Sequence, residues 1–271
     1  MPADLGRVRH VVLDMDGTIY VDEELVPGAR DLLRALDARG ARYLFLTNNT
    51  SRSKSDYVAK LRGLGIAADE GDIFTPADST IVHLRREHPE ARRIAVLGTP
   101  SLCGQFGEAG LAVTWDAPQA VVVGFDATLT YERLCRTAFW IAQGLPFIAT
   151  HPDLICPTVE PTVLVDCGSI CAALTAATGR RPVVLGKPDP SILLDLCAAR
   201  GLALCEAVMV GDRLYTDIAM ARAAGVTAVL VLSGEATAAD AAAHDPGPDV
   251  IVADVGELGE LLSARTAGRL R

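Results

Sequence analysis

The sequence predicts an α/β fold: a Rossmann-like three-layer core around a parallel sheet, plus a smaller inserted α/β domain. Three observations predict it. Short β-branched runs alternate with longer amphipathic stretches along the chain, which is the pattern of βαβ units. Half of the 271 residues are hydrophobic but only 5% aromatic, so the core is to be built from Val, Leu, Ile and Ala. One interval between polar strand ends is far longer than a βαβ step requires, and an extra domain belongs there.

The elements follow in order. "RHVVLD" (9–14) reads as the first strand, and "IYVDEELV" (19–26) as a short flap. "GARDLLRALDARG" (28–40) reads as a helix with Pro27 near its start and Gly40 just past its end, the expected punctuation. Leu32, Leu33 and Leu36 fall on one face at helical spacing. "RYLFLTN" and "KSDYVAKLRGLG" repeat the strand–helix step. Further strands are expected at "RIAVLG", "AVVVGF", "PFIAT" and "PVVLGK", then at "AVMVGD", "TAVLVLSG" and "DVIVAD". "GEATAADAAAHDPGPD" is a surface connection rich in Ala, Asp and Pro.

Composition excludes several roles. Lys and Arg number 25 against 34 Asp and Glu, a net charge of −9 that argues against a nucleic-acid partner. The apolar runs are far shorter than the ~20 residues of a membrane span. Asp4 and Asp14 interrupt any leader-like apolar stretch at the N-terminus, so a cytoplasmic protein is expected. Seven cysteines without CxxC spacing indicate neither a disulfide framework nor a zinc ribbon. Cys167 and Cys171, four apart at a helix start, read as packing residues.

Ligands of open α/β sheets bind beyond the carboxyl ends of strands. Four strands here end in polar motifs: "DMDGT" (14–18), "LTNNTS" (46–51), "LGKPDP" (185–190) and "VGDRLYTD" (210–217). Singly each has an ordinary reading, since Asp after a strand forms turns and caps, Asn48 or Asn49 suits a helix cap, and Lys187 suits a solvated turn. Their order and chemistry together resemble the four motifs of the haloacid dehalogenase superfamily, and the resemblance covers nearly the whole chain.

The resemblance implies a phosphatase. Phosphoryl transfer is mostly a matter of positioning and charge, and a carboxylate can act as nucleophile. By the family pattern Asp14 is that nucleophile. Asp16 is the acid and base that serves the leaving oxygen and then water. Gly17 lets the backbone bring its N–H groups to the phosphate. Thr47 and Asn48 bind the phosphoryl group and Lys187 neutralises it. Two carboxylates beside a phosphate require a hard cation, so Mg²⁺ is expected, held by Asp14, Asp212 and the backbone carbonyl of Asp16, with Asp217 holding a water or orienting its neighbours. Asp rather than another residue at position 16 favours a phosphatase over the dehalogenases of the superfamily.

The spacing locates the insertion. Thr47 lies 33 positions after Asp14, and Asp212 lies 25 after Lys187, but Thr47 and Lys187 are 140 apart. A core of 1–78 and 180–271 is therefore expected, with a cap at 79–179 inserted after the second motif. That layout resembles the NagD-type phosphatases, in which the cap closes over the site and carries a specificity loop. The corresponding loop is 149–170, where His151 and Asp153 are candidates for substrate contact, as is Asn49 in the second motif. "EPTVLV" departs from the Gly-bearing turn expected there.

Each of the remaining candidates has a substrate and a structural reading. Glu160 either contacts substrate or faces solvent; Tyr20 and Tyr215 line the entrance or pack; Arg52 and Arg213 add positive charge or form surface salt bridges. His10 reads as a surface residue. The implied partner is a small phosphorylated metabolite, with no nucleic acid and no membrane, and a homodimer through the cap is plausible by the same resemblance. The alternatives are a phosphotransferase or mutase of the same fold, whose cap usually sits between the first two motifs, and a non-catalytic phosphate-binding regulator, which usually loses one of the acids or the lysine.

Overall fold

The computed structural model describes residues 5–156 and 161–267. The chain starts with β1 (His10–Asp14), a flap hairpin of β2 (Tyr20–Val21) and β3 (Glu24–Leu25), α1 (Ala29–Arg39), β4 (Arg42–Leu46), α2 (Lys54–Gly63) and β5 (Ile73–Phe74). Next come α3 (Pro76–Glu87), β6 (Arg93–Leu97), α4 (Pro100–Glu108), β7 (Ala112–Val113), β8 (Ala120–Val123), α5 (Tyr131–Ala142) and β9 (Phe147–Ala149). The hairpin of β10 (Ile155–Cys156) and β11 (Leu164–Val165), then α6 (Cys167–Thr178) and β12 (Val183–Val184), complete that stretch. The last part holds α7 (Ser191–Arg200), β13 (Ala207–Gly211), α8 (Ala219–Ala224), β14 (Thr227–Val231), α9 (Ala238–Ala243), β15 (Val250–Val252) and α10 (Val255–Ala267).

These elements form two compact units. The first comprises residues 1–47, 58–74 and 187–271, and the second residues 48–57 and 75–186. The expected cap of 79–179 is thus widened at both ends. The reason is pairing: β12 joins β9 in the second unit's sheet, and Ala77 and Leu84 of α3 enter its core.

The first unit is built on a six-stranded parallel sheet in the order β15-β14-β13-β1-β4-β5. Its central strands are apolar on both faces, as they must be between helical layers. Val12, Leu46 and Met209 pack with Ile192, Leu196, Met220 and Ala221 from α7 and α8. Val11 and Leu13 point the other way and are equally buried, on the face where α1 and α10 pack together. The expected punctuation of α1 is present: Gly40 caps it at φ 68°, and Leu32, Leu33 and Leu36 are buried.

The second unit has its own five-stranded parallel sheet, order β12-β9-β8-β6-β7, with a core on each face. On one face Phe106 and Leu102 of α4 pack against Val96 and Val122. On the other, Ile141 of α5 and Ile170 and Leu174 of α6 pack against Val121 and Val123. Among the described residues no helix is long and apolar enough to cross a membrane.

Candidate active site

The parallel register of the first unit brings three motifs together. Asp14, the last residue of β1, pairs with Leu46 at the end of β4, so Thr47 follows directly beside it. On the other side Leu13 pairs with Val210 of β13, whose end carries Asp212. Chain direction across the sheet reverses between β1 and β13, the kind of switch point where open α/β sheets form a crevice. A buried crevice of acids lies there.

Asp14, Asp212, Asp217, Thr47 and Lys187 are all buried. The Lys187 ammonium donates to Asp14 Oδ1 and, at 2.7 Å, to Asp217 Oδ1. Asp217 Oδ2 accepts from the Arg213 N–H at 3.2 Å and from the Thr216 hydroxyl at 3.4 Å. Asp212 Oδ2 accepts the Glu235 N–H at 2.8 Å, and the Thr18 hydroxyl donates to Asp14 Oδ2 at 3.4 Å. Two of the three buried carboxylates thus share one ammonium, and Asp212 is not bonded to it. Burial, then Asp217 and Asp212, push the Asp14 carboxyl up to about 8 against the pull of Lys187. Lys187 is driven upward by Asp14 and Asp217 despite its burial.

This surplus of negative charge suits a divalent cation. Carboxylate oxygens of Asp14, Asp212 and Asp217 lie within 4.8 Å of one another, and Asp212 Oδ1 is buried without a hydrogen-bond partner. An orphaned carboxylate oxygen in a buried acidic cluster is costly unless a cation or water meets it. Hard oxygen donors of this kind fit Mg²⁺ or Ca²⁺.

Three glycines leave room for the acids. Gly17 stands at φ +84°, and a Cβ there would come within 2.4 Å of Asp212 Oδ2. A Cβ on Gly234 would approach the same oxygen to 2.1 Å, and one on Gly211 would meet the Asp217 Cγ at 2.4 Å. The Ser233 hydroxyl donates to the Gly17 carbonyl at 2.8 Å, tying the end of β14 to the turn after β1.

Comparison with known proteins agrees with this geometry. Residues 11–112 match the model of the haloacid dehalogenase-like hydrolases, and residues 184–258 match a second model, HAD-hydrolase-like. The chain is 31% identical over 251 residues to the ribonucleotide monophosphatase NagD of Escherichia coli, covering 93% of this chain and 98% of that one. It belongs to the haloacid dehalogenase-like hydrolases. Among solved structures of this family, a 4-nitrophenylphosphatase from Thermotoga maritima superimposes with a TM-score of 0.90 at 39% identity, covering 94% of this chain and 98% of that one. A glycerol phosphate phosphatase from Mycobacterium tuberculosis in complex with magnesium gives 0.87 at 34% identity, covering 96% and 79%. The chain is a phosphatase of the NagD type within the haloacid dehalogenase-like hydrolases.

The family motifs expected from sequence are distributed unequally between the units. Asp14, Gly17, Thr47, Lys187, Asp212 and Asp217 gather in the first. Asp16 is exposed there, because β1 stops at Asp14 and the Met15 carbonyl accepts N–H groups from Thr18, Ile19 and Tyr20 in a tight turn. Strand alternation therefore does not set its direction. Asn48 and Asn49 belong to the second unit. There Asn48 Nδ2 donates to Asp153 Oδ2 at 3.3 Å, and Asn49 Oδ1 accepts the Ser51 N–H at 2.8 Å, a local turn ahead of α2.

His151 is only 1% exposed, with Nδ1 against the Thr150 hydroxyl and Nε2 against Asp166 Oδ1, both at 2.9 Å. Those contacts hold the imidazole inside the second unit. Asp153 is half-buried beside Asn48. Glu160 lies outside the described residues, as do 157–159 of the 149–170 loop. Tyr20 is packed beneath the Lys60 ammonium, whereas Tyr215 is 55% exposed. Arg213 forms an ion pair with Glu235 at 2.9 Å, and Arg52 is exposed. His10, expected at the surface, is the first residue of β1 and half-buried. Ser233, Gly234 and Glu235 were not singled out from sequence. Their signal is the same as that of the four motifs, a polar "LSGE" directly after an apolar strand.

Proposed function

We propose that this phosphatase hydrolyses small phosphate monoesters with Mg²⁺, through an aspartyl-phosphate on Asp14. The observation that carries the reading is the Asp14 carboxylate at the end of β1, gripped by Lys187 beside the bare oxygen of Asp212. Asp14 attacks phosphorus, the ester P–O bond breaks, and Asp16 gives a proton to the departing alcohol oxygen. Asp16, now a carboxylate, takes a proton from water, whose oxygen attacks phosphorus and releases Asp14 and inorganic phosphate. Thr47 and the Gly17 turn bind phosphoryl oxygens, and Lys187 offsets their charge. Asp14, Asp212 and the Asp16 carbonyl would hold the cation, which supplies positive charge to the phosphoryl group when bound. Asp217 orients Lys187 and Arg213.

The magnesium bound in the mycobacterial relative supports the choice of metal. Seven cysteines without CxxC spacing accord with the cytoplasm, where thiols stay reduced. The partner in this reading is a small phosphorylated metabolite rather than a nucleic acid or a membrane. The relatives act on ribonucleotides, nitrophenyl phosphate and glycerol phosphate, so these three form the panel. Phosphate release is to be measured with Mg²⁺ or EDTA for the wild type and Asp14→Asn. Turnover that needs Mg²⁺ and disappears in Asp14→Asn is expected. Undiminished turnover in Asp14→Asn would overturn the mechanism, and a folded, Mg²⁺-binding wild type inert on every ester would favour the non-catalytic reading.

A further inference from the structure

Beside the acids, within the first unit, lies an open groove of about 440 Å³. Its walls include Arg213, Leu214, Tyr215, Glu235, Ala236 and His244. They are continuous with the acid cluster, since the Arg213 N–H holds Asp217 and the Glu235 N–H holds Asp212. The Arg213 guanidinium lies against the Glu235 carboxylate at 2.9 Å. The start of a π-helical turn over Leu214–Ile218 lines one wall through Leu214 and Tyr215, and such turns are frequent at functional sites.

The lining indicates which ligand fits. Leu214 and Ala236 give a buried apolar floor, while the Tyr215 side chain stands 55% exposed on the wall. Arg213 is already paired with Glu235, and Asp240 adds a second acid, so the groove offers no surplus positive charge for a phosphate. A phosphate belongs instead with Lys187. An apolar floor, a phenol ring and a planar guanidinium favour a flat π-system, which stacks on such surfaces. The volume is within the ~300–1,000 Å³ of small-molecule sites.

We propose that this groove receives a planar aromatic ring, carried by the alcohol portion of the ester, with Tyr215 as its stacking platform. The proposal rests on the phosphatase reading of the neighbouring acids for its link to turnover, but ring binding is testable without turnover. Calorimetric titration with adenosine, in the presence of Mg²⁺, is to be compared for the wild type, Asp14→Asn, Tyr215→Ala and Tyr215→Phe. Adenosine is expected to bind the wild type and Asp14→Asn alike, about tenfold more weakly to Tyr215→Ala, and near wild-type strength to Tyr215→Phe. In turnover, the ratio of kcat/KM for p-nitrophenyl phosphate to that for glycerol phosphate is expected to fall about tenfold in Tyr215→Ala. Failure of the wild type to bind adenosine, or equal affinity in Tyr215→Ala, overturns the proposal. An unchanged ratio with measurable turnover does the same. Absence of all turnover in the wild type would instead count against the phosphatase reading and leave the adenosine titration to decide on the groove.

Discussion

Lys187 shows what sequence reveals about a single residue and what it hides. Its place after a strand in "LGKPDP" marked it, but the contact with Asp217, thirty positions on, depends on the fold. Because it stands between two buried carboxylates, Lys187→Met is expected to cost about 3–5 kcal/mol in EDTA, the penalty for stranding buried charge. Urea unfolding followed by circular dichroism measures this, and added Mg²⁺ should recover part of the loss. Gly17 was legible as a turn residue; its second constraint, the Asp212 oxygen 2.4 Å from where a Cβ would sit, was not. Gly17→Ala is therefore expected to weaken Mg²⁺ binding at least tenfold in calorimetry, while far-UV dichroism stays native. Ser233 and Glu235 share the strand-end signal of the recognised motifs but lacked a recognised motif around them.

At the level of elements, the central strands were the most legible, because a strand covered on both faces must be a continuous apolar run. The hairpin β10–β11 and the two-residue strands β7 and β12 were less so. "PVVLGK" reads like a buried strand, yet Val183 and Val184 are exposed, since β12 is the sheet's edge and edges are covered on fewer sides. Asp166 was invisible as a partner for His151, although it caps α6 through the Cys167 N–H and accepts from the imidazole. Burial opposes protonation of His151, but Cys167, Asp166 and Asp153 overcome it and push the imidazole up to about 9. The folded value is raised above the unfolded one, near 6.5, so this stabilisation is complete below pH 6.5 and lost as pH rises through 9. Cys167, whose thiol, despite its burial, Cys171 and the imidazole pull down to about 6, works in the opposite sense over this range and offsets part of the loss. Both tryptophans, Trp115 and Trp140, belong to the second unit, so tryptophan fluorescence reports its unfolding. Its urea midpoint should fall between pH 6.5 and 9 in the wild type and change far less in His151→Gln.

For the whole molecule, motif spacing was enough to reveal two units, because a 140-residue interval cannot be one βαβ step. The exact boundary was not legible. Assignment of 48–57 and 75–78 to the second unit depends on contacts with residues far along the chain, such as Lys54 with Asp78 and the Thr50 hydroxyl with the Phe125 N–H. The chain's net charge of −9 adds to the local surplus of carboxylates, so without a cation the first unit carries repulsion among buried acids. A ligand that binds only the folded state stabilises it by mass action, by about 2.7 kcal/mol at a hundred times its Kd. Mg²⁺ at that excess is therefore expected to raise the thermal midpoint of the wild type by several degrees, and EDTA to reverse the gain. Asp212→Asn, which keeps the side chain's shape but removes the charge around the orphaned oxygen, should fold and lose most of this response. A Mg²⁺-induced rise as large in Asp212→Asn as in the wild type would mean that the cation stabilises the molecule somewhere other than between Asp14 and Asp212.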